Sequence, residues 1–245
     1  MAGTSQSIIP EVQGLRGLSA IAVVLFHMGW LWCGWLGVWV FFVVSGFLIT
    51  RSLLNRDGVG DLSSRLVGFY RSRAARILPL YLAVIGVGVS VLLVQAWLDG
   101  RAEQLRFLAD VPWLLSGTYN VLRVLPDFEQ TRLFGHLWSL SVEEQFYLLF
   151  PLAFFGLSRR RLGVVLVVLV ISAPLVRVAT HLTLGGLGWS PAQVATALYQ
   201  LPFNHLDAFA AGALLALTEA RLRAFGGSVL AQRLARARPA LLGIW

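Results

Sequence analysis

The sequence predicts an all-α, polytopic transmembrane helical bundle, and three observations predict it. Hydrophobic residues fill 57% of the 245 positions and charged residues only 13%, more apolar surface than a soluble domain can hide. Apolar runs long enough for a bilayer core, about 20 residues each, recur along the chain. All twenty basic residues are arginine, and most gather between those runs rather than within them, the pattern of cytoplasmic loops.

The apolar runs fall near residues 14–32, 35–50, 77–98, 105–125, 137–157, 162–182 and 198–218, and an eighth begins near Ala240 and stops at Trp245 as though cut. The expectation is therefore about six to eight spans. The arginine-rich connections run from Arg51 to Arg76, over Arg159, Arg160 and Arg161, and from Arg221 to Arg238. Placing all three in the cytoplasm puts the N-terminus there too and makes a multi-pass protein of the inner (plasma) membrane. It also leaves 105–125 with no crossing to make. That run carries Arg106, Asp110, Pro112 and Arg123, which suits a re-entrant or interfacial piece on the outer side.

Composition excludes several classes of function. The net charge of +8 would suit nucleic acid, but cations confined to connections point instead to membrane lipid headgroups. Cys33 is the only cysteine, so neither an internal disulfide nor redox chemistry is expected. No metal site, signal peptide or internal repeat is expected either. The arginine-only basic set hints at a GC-rich bacterial genome.

Ionisable groups inside a span cost several kcal/mol unless paired or facing water, so they mark candidate function. Arg16 and His27 share the first run, eleven positions and about 16 Å apart on nearly one helix face. A buried imidazole can take up and return a hydroxyl proton; a packed structural histidine with a snorkelling Arg16 is the plainer alternative. In the second run Ser45 and Gly46 interrupt bulky apolar residues. Close helix packing or a cavity lining explains them better than a serine nucleophile. The stretch HLWSLSVEEQFYLLFP at 136–151 puts His136, Glu143 and Tyr147 on one helical stripe and Glu144 on the next. One of these carboxylates could orient His27, as the third member of a triad does, or pair with Arg16 or Arg177.

Arg71, Arg73 and Arg76 crowd one helix entrance, where planar guanidiniums suit phosphate oxygens. Topology alone explains their sign but not their density. His205 and Asp207 are read as lining a cavity or capping a helix, His181 as interfacial, and Trp30, Trp32, Trp35 and Trp39 as an interface belt.

Taken together, Arg16-x10-His27, the SGFLI stretch from Ser45, the cluster Arg71, Arg73 and Arg76, and HLWSLSVEEQFYLLFP resemble the acyltransferase-3 family of membrane O-acyltransferases. That family includes O-antigen acetylases and macrolide acyltransferases. The resemblance runs from about Ile9 to about Leu217. It implies that His27 is catalytic with Arg16 essential beside it, and that Glu143 and Glu144 belong to the active site. It also implies that Arg71, Arg73 and Arg76 handle an acyl-CoA co-substrate, with no resident cofactor. Members usually carry about ten spans, so residues 1–245 resemble the N-terminal two-thirds of the domain. The expected reaction moves an acyl group, by implication acetyl, from acyl-CoA to a hydroxyl of a carbohydrate or secondary metabolite. A proton-coupled transporter or flippase, or a non-catalytic scaffold, are the rival readings.

Overall fold

The computed structural model describes residues 9–100, 102–125, 128 and 132–242, of which 102–104, 132 and 227–242 are described by their backbone alone. These residues form α1 (Pro10–His27), α2 (Leu36–Leu54), α3 (Leu62–Asp99), α4 (Val111–Leu115), α5 (Tyr119–Leu122), α6 (Trp138–Gly156), α7 (Arg159–Gly186), α8 (Pro191–Gln200) and α9 (Leu206–Leu242). Short 3-10 turns cover Ala102–Asp110, Arg132–Leu137 and Pro202–Asn204, and no strand occurs among the described residues.

Local chemistry sets the helix ends. Pro10 and Pro191 stand at helix starts, where a missing N–H costs nothing. Ser158 caps α7 by accepting from the Arg161 amide, and Ser190 with Gln193 completes a capping box on α8. Hydrogen bonds from Ser64 and Ser63 lower the Asp61 carboxyl to about 2, keeping an anion at the positive end of α3. Gly100, at φ 63°, ends that helix in the left-handed conformation.

The span count differs from the expectation of six to eight. Among the described residues three helices, α2, α3 and α7, are long and apolar enough to cross a membrane by length and composition. Arg16 in α1 and the carboxylates of α6 dilute helices of 18 and 19 residues. The run 105–125 breaks into a 3-10 turn and two short helices, none long enough to cross. The run 198–218 breaks at Pro202–Asn204, and 14–32 ends at His27, before a turn at Gly29 with φ 75°. Ala240, where an eighth run was expected, lies in the last turn of α9 with its side chain outside the described residues.

α2 is the central helix: 56% of its apolar window is buried, against 17% in α3 and in α7. The faces α3 and α7 leave bare are leucine and valine, suited to lipid. At about 1.5 Å per residue, α3 is roughly 57 Å long, well beyond a hydrocarbon core of about 30 Å. Its arginine-bearing first turns therefore stand outside the apolar stretch that starts at Ile77. One core joins Phe42, Ile49 and Leu53 of α2 to Phe146, Phe150 and Phe154 of α6 and Phe209 and Ala213 of α9. A second packs Tyr81 and Ile85 of α3 against Leu114, Tyr119 and Phe134.

α2 and α9 touch backbone to backbone. A methyl group at Gly46 would collide with the Phe209 carbonyl, and one at Gly212 with the Val43 carbonyl. On its other side, near its start, α2 meets α1 in the same way: a Cβ at Gly37 would lie 2.6 Å from the Ser19 carbonyl. Small residues thus let three helices pack closer than ordinary side chains allow. Gly46→Ala should cost about 1–3 kcal/mol, because the obstacle is backbone that cannot rotate away. Gly163→Ala, with nothing within 4 Å of the added atom, should stay within about 0.5 kcal/mol of the native protein or gain slightly. Thermal midpoints of the detergent-solubilised variants check this.

Candidate active site

Ion pairs gather the arginine-rich connections at one end of the bundle. Asp57, in the turn after α2, accepts from Arg159 at the start of α7 (2.6 Å) and from Arg65 of α3 (3.2 Å). Arg51 at the end of α2 lies 3.8 Å from Glu219 of α9, which holds Arg223 at 2.6 Å.

A cavity of about 750 Å³ opens from that end into the bundle. Its arginine end is lined by Gln13 and Arg16 of α1, Arg51 and Asn55 at the end of α2, and Arg73 and Arg76 of α3. Farther in it meets Ser45, Glu143 and Tyr147, and beyond them Tyr81, Leu140 and His136. Four guanidiniums and one carboxylate therefore line one continuous space, with the charge concentrated at one end.

The middle of the cavity is built by two helices. Glu143 Oε1 accepts from the Ser45 hydroxyl and from the Tyr147 phenol, the latter at 2.5 Å; Tyr147 also lies 3.4 Å from Ser45 Oγ. Helical spacing puts Tyr147 one turn past Glu143 on the same face. The Gly46–Phe209 contact turns Ser45, the residue before Gly46, toward them. The Arg73 guanidinium stacks 5.7 Å from the Tyr147 ring and 5.6 Å from Phe69. That interaction steers one cation of the arginine cluster inward.

Among the expected site residues, Arg16, Ser45, Arg73, Arg76, His136, Glu143 and Tyr147 line this cavity. Gly46 lies behind it against α9. Arg71 is exposed, outside the lining. Glu144 points away on the neighbouring face, where a Cβ at Gly117 would meet its carboxylate at 2.8 Å. His27 is not deep in the bundle, as the sequence suggested. It is the last residue of α1, exposed, with Phe26 edge-on at 5.5 Å. Neither glutamate orients it in this structure: Glu143 is taken by Ser45 and Tyr147. His27 is outside the residues that line the cavity, but eleven residues of helix, about 16 Å, carry it from Arg16 away from the arginine end, toward the end lined by His136. Arg177 pairs with Asp207 at 2.7 Å rather than with either glutamate.

Two groups of polar residues were missed by sequence reasoning. Arg51 ends the same apolar run that carries Ser45, but reading it as a topology determinant concealed its place in the cavity. Behind α6, Gln145 donates to the Gly117 carbonyl and to Asn120, both at 2.9 Å. Asn120 and Arg123 in turn bond Gln200 at 3.2 and 3.0 Å. This network ties α6 to the broken segment and to α8. His205, fully buried, sits among Trp39, Phe42, Trp138 and Tyr199 and bonds the Tyr199 carbonyl at 2.8 Å. That is a packed structural histidine rather than a cavity lining.

If the cavity is wet, a thiol at position 45 should be reachable. With Cys33 replaced by serine, Ser45→Cys should react with a water-soluble thiol reagent, whereas Ala213→Cys, fully buried in α9, should not. Equal labelling of the two, followed by mass spectrometry, would contradict the cavity.

The chain matches the acyltransferase domain family over residues 9–244, farther than the Leu217 limit read from the motifs. It is 34% identical over 168 residues to O-acetyltransferase OatA of Staphylococcus aureus strain NCTC 8325 / PS 47, covering 64% of this chain and 26% of that protein. A protein of S. aureus strain COL with a provisional O-acetyltransferase name is 34% identical over 149 residues, or 58% of this chain and 24% of the relative. The chain thus spans about a quarter of the length of these relatives. No solved structure matches it. With a match over nearly its whole length, on a helical fold whose cavity brings together Arg16, Ser45, Arg73, Arg76, Glu143 and Tyr147, this membrane chain belongs to the acyltransferase domain family.

Proposed function

We propose that the protein is an integral membrane O-acyltransferase that moves an acyl group, acetyl by analogy with the relatives' names, from acyl-CoA to a hydroxyl of a carbohydrate or secondary metabolite. The observation that carries this reading is the polarity of the cavity. Cations concentrated at one end suit a phosphate-bearing donor, and the other end is lined by the His136 imidazole, a group suited to acid–base work.

On this reading the arginine-rich end faces the cytoplasm of a bacterial cell, by the charge asymmetry of the connections. The N-terminal end of α1 faces the same side, since Ile9 and Gln13 line the cavity beside Arg51 and Asn55. Arg73 and Arg76 hold donor phosphates, with Arg71 contributing to the local field from outside the lining. Arg16 holds the donor's acyl-bearing arm near the Ser45–Glu143–Tyr147 cluster. His27 removes the acceptor's hydroxyl proton. The hydroxyl oxygen forms a bond to the acyl carbon, the carbon–sulfur bond breaks, and the leaving thiolate takes up a proton to become the thiol of coenzyme A. His136 shares the site with His27, and Glu144 supports the outer wall.

The test is transfer of a radiolabelled acyl group from acyl-CoA to candidate acceptors by the full-length protein in proteoliposomes. Covalent label should appear in the acceptor and fall by about 100-fold or more in His27→Ala, the range expected when a general base is removed. Movement of an acceptor across the vesicle membrane without covalent label would instead identify a transporter or flippase. Wild-type and His27→Ala protein that behave alike would leave only a scaffold.

A further inference from the structure

The cavity holds a cation that no family motif assigned. Arg51 lies at the end of α2, where the apolar run meets the arginine-rich connection. Its guanidinium sits 5.7 Å from the Phe47 ring and its Nε 3.8 Å from the Glu219 carboxylate. Arg223 holds the other oxygen of that carboxylate at 2.6 Å, which fixes Glu219 beside Arg51 and leaves its second oxygen facing the Arg51 Nε. The Nη1 of Arg51 is shut off from solvent and has no hydrogen-bond partner among the described residues. An unsatisfied, charged donor is costly to leave buried, and this one belongs to a side chain that lines the cavity beside Asn55, Arg73 and Arg76.

We propose that Arg51 is a phosphate-reading residue of the donor site, with Glu219 as the tether that keeps its planar fork directed at the incoming anion. This rests on the acyl-CoA reading above and adds a specificity determinant to it. Arg73 is partly engaged with the Phe69 and Tyr147 rings. Arg51 lines the cavity with part of its side chain open to it, 20% exposed, so a phosphate meets the open edge of its guanidinium, and a small turn of the fork brings the enclosed, unpartnered Nη1 to a second oxygen. Two parallel N–H donors to one phosphate are a geometry that lysine cannot reproduce.

The experiment compares two donors with full-length protein in proteoliposomes: acyl-CoA, and the same acyl group as the thioester of N-acetylcysteamine, which has no phosphate. Arg51→Gln should raise KM for acyl-CoA about 10- to 100-fold, the value of a charge-assisted hydrogen bond. Its kcat on acyl-CoA, and its KM for the short thioester, should move by less than about twofold. Arg51→Lys should show a smaller rise confined to the same donor, and so should Glu219→Gln, which loosens the tether. These two variants decide the matter if Arg51→Gln does not fold.

An unmoved KM for acyl-CoA, or equal rises for both donors, would overturn the role of Arg51 while leaving acyl transfer intact. A wild-type protein that uses the short thioester and acyl-CoA with the same KM would remove phosphate recognition altogether. A wild-type protein that transfers from neither would sink the acyltransferase reading and this one with it.

Discussion

The close crossing of α2 on α9 is the constraint from which the rest of the architecture follows. Gly46 and Gly212 let two backbones touch, and no side chain lies between them at that point. Because α2 cannot rotate there without losing the contact, its other faces are fixed. The residue before Gly46 is turned to Glu143 and Tyr147, and the far edge, at Gly37, meets α1. Lipid offers apolar groups nothing that a neighbouring helix does not, so shape and small residues decide which helices pair. Burial agrees: α2 is enclosed, while α3 and α7 keep broad leucine and valine faces bare.

Polar groups then divide into two sorts. His205, Arg177 and Asp207 are absorbed by packing: the imidazole lies among aromatic rings, and the guanidinium bonds Asp207 and the Asn204 carbonyl and sits 4.7 Å from Trp39. The cavity residues do not neutralise one another so fully. Four arginines line it with one carboxylate, and that carboxylate faces a serine and a tyrosine rather than a cation. The result is a positive surplus focused at one end of a cleft, the arrangement that draws anions inward.

Helix type, the placement of arginines at one end and the stripe of Glu143 with Tyr147 were legible in the sequence, since all three follow from composition and the 3.6-residue period. The broken run at 105–125 was legible too, because Pro112 and its charges argue against a crossing. Partners between helices were not. Periodicity says which residues share a face but not what that face meets, so the expected pairing of a glutamate with His27 gave way to one with Ser45, 98 residues distant. Depth was misjudged for a related reason. The apolar run 14–32 continues past the helix end, and only the turn at Gly29 shows that His27 closes α1 rather than lying at its middle. The run 198–218 likewise conceals a break at Pro202, whose ring and the polar residues after it outweigh the apolar average.

The amide of Gln145 has a consequence for the carboxylate two positions before it. Consecutive residues on α6 are separated by about 100° of rotation, so a one-residue slip would present Glu144 to the cavity and hide Glu143. Inside the cavity such a slip would put Leu148 where Tyr147 stands and lose the phenol's bond to the carboxylate. A second restraint lies behind the helix, where Gln145 is fastened to Gly117 and Asn120 and, through Asn120, to α8. The azimuth of the one acid that faces the cavity is thus set in part by amides that never see it, on a segment too short to cross the membrane.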